Sequence, residues 1–340
     1  MKQADVDKLL RWYAAGHRDL PWRRDREPYH VWISEIMLQQ TRVEAVRGYY
    51  ARFLAALPTV EAFADAPEEL CRKLWEGLGY YSRVRNAQRA AKMVAAAGRF
   101  PETFEALRAL PGIGDYTAGA ICSICFELPT PAVDGNVLRV AARLTAEERC
   151  VDEPAVKREL REALAACYPA AGAGLMTQAL MELGATVCVP NGEPRCEACP
   201  AAAFCAARAA GSWQKYPVRA EKRARRVERR TVFVLDCGGR LALRKRKASG
   251  LLAGLWEFPN VPGWLEAQEA LDLAAQWGLR PRNPEKQLER THVFTHVQWE
   301  LRCWYLRCGT AAEGFTWAAP EELDERYALP TAFRMFREPS

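Results

Sequence analysis

"LPGIGDYTAGAI", residues 110–121, sets two glycines close together just ahead of an apolar run that opens near Asp115. Gly112 and Gly114 permit positive φ and close backbone approach, and a helix starting at Asp115 leaves its first N–H groups free to take a phosphate oxygen. On both sides of this turn, from Asp5 to about Arg208, the chain reads as helices of ordinary length separated by Pro and Gly signals, as in "LPTVEAFADAPEEL" and "VDEPAVKRELREALAACYPAAG". An all-α region is predicted.

Beyond it the period changes. Between Lys215 and Arg230, eight Lys or Arg stand against two Glu, with Pro217 and no apolar face, which predicts a solvated charged connector. "RRTVFVLDCGGRLALRKRK" (229–247) then gives two alternating segments around a Cys-Gly-Gly turn, and "VQWELRCWYLRC" (297–308) is another strand-like run. A helical pattern, "WLEAQEALDLAAQWGL" (264–279), lies between them, so residues 231–340 are expected to form a separate α+β domain.

Composition sets the class. A chain of 340 residues, 49% apolar and 26% charged, is long enough for two or three compact domains and excludes disorder as the expectation. No run reaches membrane-span length, and "MKQADVDKLLRWY" carries charges where a secretory signal has its apolar core, so a cytoplasmic protein without a membrane partner is expected. The net charge of +6 suits a polyanionic partner without identifying one. Twelve cysteines in a chain of this size, with no export signal, point to thiols or metal ligation rather than disulfides.

Three further stretches carry chemistry. "CVPNGEPRCEACPAAAFC" places Cys188, Cys196, Cys199 and Cys205 with seven, two and five residues between them, and four thiolates closing one loop can hold Zn²⁺ or a [4Fe–4S] cluster. Cys122 and Cys125, in an apolar helix, read as small core residues. In "SEIMLQQTRVEAV" (34–46), Glu35 shares a helix face with Val31, Leu38 and Gln39, so its carboxyl is expected to be partly desolvated, raised in pKa and able to deliver a proton. In "AVDGNVLRVAARL" (132–144), Asp134 precedes Gly-Asn and an apolar helix, the position of an N-cap.

The cysteine loop resembles the iron–sulfur loop of the endonuclease III superfamily of DNA glycosylases, with one residue more than usual in its first gap. "LPGIG" resembles the superfamily's helix-hairpin-helix turn, and "VDGN" stands where it carries a second catalytic acid. "LPWRRDREPYHVWISEIMLQQTRVEAV" (20–46) and "LWEGLGYYSRVRNAQRAA" (74–91) resemble the signatures of MutY-type adenine DNA glycosylases, so the likeness covers most of residues 20–205. "SGLLAGLWEFP" (249–259) and "THVFTHVQWEL" (291–301) resemble the Nudix-like domain that such enzymes use to recognise 8-oxoguanine, without the arginine-glutamate box of true Nudix hydrolases.

The resemblance implies a mostly α, two-lobed helix-hairpin-helix glycosylase core with an iron–sulfur loop, plus a C-terminal α+β Nudix-like domain. Residues 22–130 would be a six-helix lobe, 1–21 with 131–210 the cluster lobe, 211–230 a basic linker and 231–340 the recognition domain. It implies a monomer carrying a [4Fe–4S] cluster on the four cysteines and acting on double-stranded DNA with A:8-oxoguanine or A:G mispairs. Glu35 would protonate the adenine, Asp134 would stabilise or attack the sugar, and Asn136 would orient one of them. Trp22, Arg23, Leu38 and Gln178 would line the base pocket. Gln39, Gln40, Thr41, Leu78 and Tyr80 would meet the opened duplex, Gln40 and Tyr80 by entering the stack. Gly112 and Gly114 would take a phosphate, and Phe294, Thr295 and His296 would face the opposite base, with Thr295 where the family usually has serine. Tyr116 stands where bifunctional relatives put the Schiff-base lysine, which implies a monofunctional enzyme. The alternatives are a bifunctional oxidised-pyrimidine glycosylase/lyase of the endonuclease III kind and a non-catalytic binder of damaged DNA.

Overall fold

The computed structural model describes residues 1–221 and 224–337, so Lys222 and Arg223 of the basic stretch lie outside the described residues. The chain divides into two compact units, residues 1–65 with 86–221, and residues 66–85 with 222–340.

The first unit is helical, with no strand among its described residues. Its elements are α1 (Gln3–Gly16), α2 (Pro28–Leu38), α3 (Val43–Ala56) and α4 (Val60–Asp65), with most of α6 (Ser82–Ala97) after the excursion of α5 (Glu68–Leu74) into the second unit. Then come α7 (Phe104–Arg108), α8 (Asp115–Phe126), α9 (Gly135–Thr145), α10 (Pro154–Ala165), α11 (Ala173–Thr186) and α12 (Ala206–Ala209). Apolar positions of α1, α9, α10 and α11 make one continuous core through Leu9, Val140, Leu160 and Leu180.

Helix α8 packs against both α2 and α11. A Cβ on Gly174 would come within 2.9 Å of Ile124 Cα, and one on Gly119 within 2.5 Å of Pro131 O. These glycines act through space rather than φ: the absence of a side chain lets backbones meet. In the 110–114 turn the two glycines differ. Gly112 is left-handed at φ +79°, and a Cβ there would approach Asn86 Cβ to 2.8 Å, whereas Gly114 is extended and is the N-cap of α8.

The end of this unit departs from the solvated connector read in the sequence. Val218 O accepts from Val151 N at 2.9 Å, Arg219 Nη1 pairs with Asp152 Oδ1 at 2.8 Å, and Ala220 N donates to Asp152 Oδ2 at 3.1 Å. Residues 218–220 are therefore held to the loop before α10, and Tyr216 O accepts from Arg143 of α9. A local charge pattern cannot register that docking, because the partners sit 67 residues earlier.

The second unit carries a mixed sheet in the order β3-β2-β1-β6-β5, with β4 on β1 and β7 on β2; the strands are β1 (Arg226–Cys237), β2 (Arg240–Lys245), β3 (Trp256–Glu257), β4 (Asn260–Pro262), β5 (Lys286–Val293), β6 (Val297–Arg307) and β7 (Thr316–Ala318). Gly238 (φ 62°) and Gly239 (φ 81°) close the β1–β2 hairpin, as a two-residue turn with both φ positive requires. Residues 231–235 of β1 do not alternate; all are buried. Val232 and Val234 meet α15 (Thr331–Arg334) and its neighbours, while Phe233 and Leu235 meet α13 (Ala267–Gln276), so both faces are covered. Within the same unit, Lys73 of α5 donates to Leu323 O at 2.9 Å and Leu329 N donates to Glu76 at 2.7 Å. These tie residues 66–85 to α14 (Pro320–Glu325) and the chain beyond it.

Gly119→Ala tests the close crossing of α8. Alanine in a helix is intrinsically favourable by roughly 0.5–1 kcal/mol, but a Cβ at 2.5 Å from a backbone oxygen forces a shift whose cost, about 1–3 kcal/mol, outweighs it. The expected result is a lower urea midpoint with an unchanged slope.

Candidate functional site

A cavity of about 520 Å³ in the first unit is lined by the turn at Pro21–Arg23, α2 with its exit, α8, the start of α9, and α11. Glu35, Asp134, Asn136 and Tyr116 all reach it. So do Trp22, Arg23, Leu38 and Gln178 from the base-binding group, and Gln39, Gln40 and Thr41 from the exit of α2.

Glu35 is 4% exposed on a helix whose other residues from Tyr29 to Met37 are mostly buried. Burial pushes its carboxyl up to about 7; the Tyr116 hydrogen bond opposes the rise and the nearby Asp134 charge adds to it. Tyr116 donates its phenol proton to Glu35 Oε2. Burial and the two carboxylates hold that phenol well above its ordinary pKa, so it remains a donor.

Asp134 is the N-cap of α9. Its Oδ1 accepts from Asn136 N at 2.9 Å and Val137 N at 2.7 Å, while Oδ2 accepts from Asn136 Nδ2 at 2.9 Å. These hydrogen bonds fix the Asp134 side chain at the start of the helix. Asn136 Oδ1 in turn accepts from Arg139, which also donates to Gly184 O and Cys188 O, so the acid is fixed to the start of the cysteine loop.

Beneath the cavity lies a polar network that the sequence reading missed. Tyr13 donates to Gln178 Oε1 at 2.8 Å. Glu182, 2% exposed, takes Arg18 on both oxygens (2.8 and 2.9 Å) and Arg23 on Oε2 at 2.8 Å. Burial alone would raise the Glu182 carboxyl, but the Arg18 hydrogen bond and the Arg23 charge outweigh it and hold it below its ordinary value. The only signal for such pairs is spatial, since Arg18 and Glu182 lie 164 residues apart.

Gln40 has φ 57°, left-handed for a side chain with a Cβ, and is exposed at the cavity's edge. The remaining predicted residues are not in this cavity. Gly112 and Gly114, both exposed, form the turn before α8. Leu78, Tyr80, Phe294, Thr295 and His296 belong to the second unit. There Tyr80, also left-handed at φ 47° and 45% exposed, shares a hydrogen bond of 2.9 Å with Thr295 Oγ1. Phe294 N donates to Val297 O at 2.8 Å and closes the β5–β6 turn, and the Phe294 ring packs edge-on to Trp299. A groove of about 470 Å³ runs between this turn and residues 77–85. Leu78 is buried behind it, 6% exposed.

Cys188, Cys196, Cys199 and Cys205 line one small apolar cavity with Arg143, whose Nη1 reaches Cys188 Sγ at 3.3 Å. Among the described residues no group of three or more His, Cys, Asp or Glu is placed to hold a metal ion.

Residues 33–166 match the HhH-GPD superfamily of base excision DNA repair proteins, and residues 231–338 match the NUDIX domain. The adenine DNA glycosylase of Rattus norvegicus is 35% identical over 97% of this chain and 77% of its own length. That of Homo sapiens is 35% identical over 97% of this chain and 72% of its own length. A thermostable thymine-DNA glycosylase structure superposes with a TM-score of 0.55 and 27% identity over 60% of this chain and 95% of its own. An endonuclease III–DNA complex superposes with a TM-score of 0.51 at 22% identity over 63% of this chain and 98% of its own, a likeness of fold. No described helix is long and apolar enough to cross a membrane.

A carboxyl raised from 4.5 to about 7 on folding makes the folded state bind a proton more tightly than the unfolded chain. That contribution to stability is complete below pH 4.5 and is lost as pH rises through about 7. Its size is about 3 kcal/mol. Glu35→Gln, which cannot ionise, is therefore expected to be more stable than the parent at pH 8, with the gap closing towards pH 4, as read by urea denaturation across pH.

Proposed function

The chain belongs to the adenine DNA glycosylase family, and on that premise we propose that it removes adenine paired with 8-oxoguanine or guanine in double-stranded DNA, by hydrolysis that leaves an abasic site. The observation that carries the reading is the pairing, in one cavity, of a buried carboxyl raised to about 7 with a carboxylate fixed at a helix N-terminus. Two acids in such different settings divide the roles of a proton donor and a group that faces a cation.

The target nucleotide is extruded from the stack, which is easiest for a mispaired base, and its adenine enters the cavity against Trp22 and Gln178. Glu35 accepts the Tyr116 hydrogen bond on Oε2, leaving Oε1 to carry the proton to adenine N7. Protonation makes the base a better leaving group, and the bond from the sugar to adenine N9 breaks with its electron pair going to the base. Asp134, held by Asn136 and Val137, stabilises the oxocarbenium-like sugar or captures it before water completes hydrolysis. The residue beside both acids is a tyrosine kept protonated by burial, so no amine stands there to form a Schiff base and cut the strand. This favours a monofunctional glycosylase over the lyase alternative.

The loop 188–205 is the proposed seat of a [4Fe–4S] cluster: four thiols line one apolar cavity, and the Arg143 guanidinium faces Cys188. The cluster would brace the loop, and no step of the chemistry runs through it. In the second unit, the Tyr80–Thr295 hydrogen bond and the turn it meets are the proposed reader of the base opposite adenine. The protein is read as a monomer of the cytoplasm.

Three measurements check this reading. Glu35→Gln should lower single-turnover excision of adenine opposite 8-oxoguanine by roughly 10² to 10⁴-fold, with mismatch binding nearly unchanged; a rate near the parental one contradicts the mechanism. Thr295→Val, which keeps the volume and deletes the hydroxyl, should narrow the rate advantage of 8-oxoguanine over guanine opposite adenine, read on matched duplexes. Metal analysis of the purified protein should find about four irons per chain, and stoichiometric zinc without iron would remove the cluster from the account.

A further inference from the structure

A second groove, about 630 Å³, shares Tyr116, Asp134 and Gly135 with the base cavity and is otherwise walled largely by α10 and by Arg219. Its charged lining is four cations, Lys157, Arg158, Arg161 and Arg219, against two carboxylates, Asp115 and Asp134. Asp115 is already taken: Arg108 and Arg161 both pair with it. Arg219 is brought there by the docking of residues 218–220. Asp152 grips its Nη1, and its Nη2 stands 3.8 Å from where a Cβ on Gly135 would lie, beside the first turn of α9 and next to Asp134. Lys157 has no ion-pair partner among the described residues and faces the same groove.

We propose that this groove is the track of the target DNA strand on one side of the extruded nucleotide, with Arg219 and Lys157 contacting its phosphodiester oxygens. The inference rests on the reading that Asp134 faces the sugar of the target nucleotide. If that sugar sits at Asp134, its flanking phosphates lie one backbone repeat away, and the groove opening at Asp134 presents cations to one of them. The stretch that looks like a charged linker thereby contributes to the nucleic-acid face, and Asp152 is a positioning residue that aims Arg219. A phosphate at this point also places negative charge near the sugar cation that forms at Asp134, which Arg219 balances without touching the base.

The test uses full-length protein and a duplex with a non-cleavable 2′-fluoro-adenosine opposite 8-oxoguanine, with dissociation constants measured by fluorescence anisotropy across a salt series. Arg219→Ala and Lys157→Ala should each weaken binding and each lower the slope of log Kd against log salt by about 0.9, the value for one phosphate contact. Arg219→Lys should keep most of the slope, and Lys8→Ala, an exposed cation of α1 outside the groove, should leave it unchanged. On a duplex whose target strand ends at the adenosine on one flank, the Arg219 effect should vanish for one choice of flank and persist for the other. An unchanged slope in both groove variants, an equal loss with Lys8→Ala, or indifference to both strand truncations would overturn the proposal. Excision by the parent separates the two levels: a parent that removes adenine while the slope ignores Arg219 leaves the glycosylase reading standing, and a parent that removes none refutes that reading itself.

Discussion

The removal of one carboxyl from water is the constraint on which the rest of the first unit turns. A glutamate on a surface helix is ionised at neutral pH; Glu35, buried beside Tyr116 and Asp134, retains a proton up to about pH 7. Holding it there requires α2, α8 and α11 to pack closely enough to exclude water. The approach of α11 to α8 depends on Gly174, where a side chain would collide with Ile124 and Ser123, and Gly119 lets α8 meet the backbone of Pro131. Stability is given up above pH 4.5 to keep a group that can donate a proton, a trade common at sites of acid–base chemistry.

Asp134 carries the same chemical group in a different setting. Three hydrogen bonds fix it at the start of α9, and Arg139 ties the arrangement to Gly184 and Cys188. A chain of hydrogen bonds therefore links Cys188 O at the start of the cysteine loop to Asp134 through Arg139 and Asn136.

Much of this was legible in the chain. The helical period put Glu35 on an apolar face, "VDGN" announced a cap, the cysteine spacing announced one shared loop, and the Cys-Gly-Gly turn announced a hairpin. What stayed hidden has a common physical character. Tyr13 with Gln178, Arg18 and Arg23 with Glu182, and Arg219 with Asp152 are pairs made between distant segments, and no local spacing encodes them. The turn glycines were read as a pair with one role, yet only Gly112 needs its positive φ. Strand β1 was read as alternating because period alone does not reveal that helices cover both faces of a sheet.

The second unit sets the same lesson in a different chemistry: Tyr80, from a segment that reads as part of the helical region, meets Thr295 from the β5–β6 turn. The proton on Glu35 remains the point on which the functional account stands or falls. A carbon-13 NMR titration of the side-chain carboxyls, with the Glu35 signal assigned by its absence in Glu35→Gln, measures it directly. The account predicts a midpoint near 7, moving higher in Tyr116→Phe because the hydrogen bond that opposes the rise is gone. A midpoint at the ordinary glutamate value, unmoved by that substitution, would contradict it.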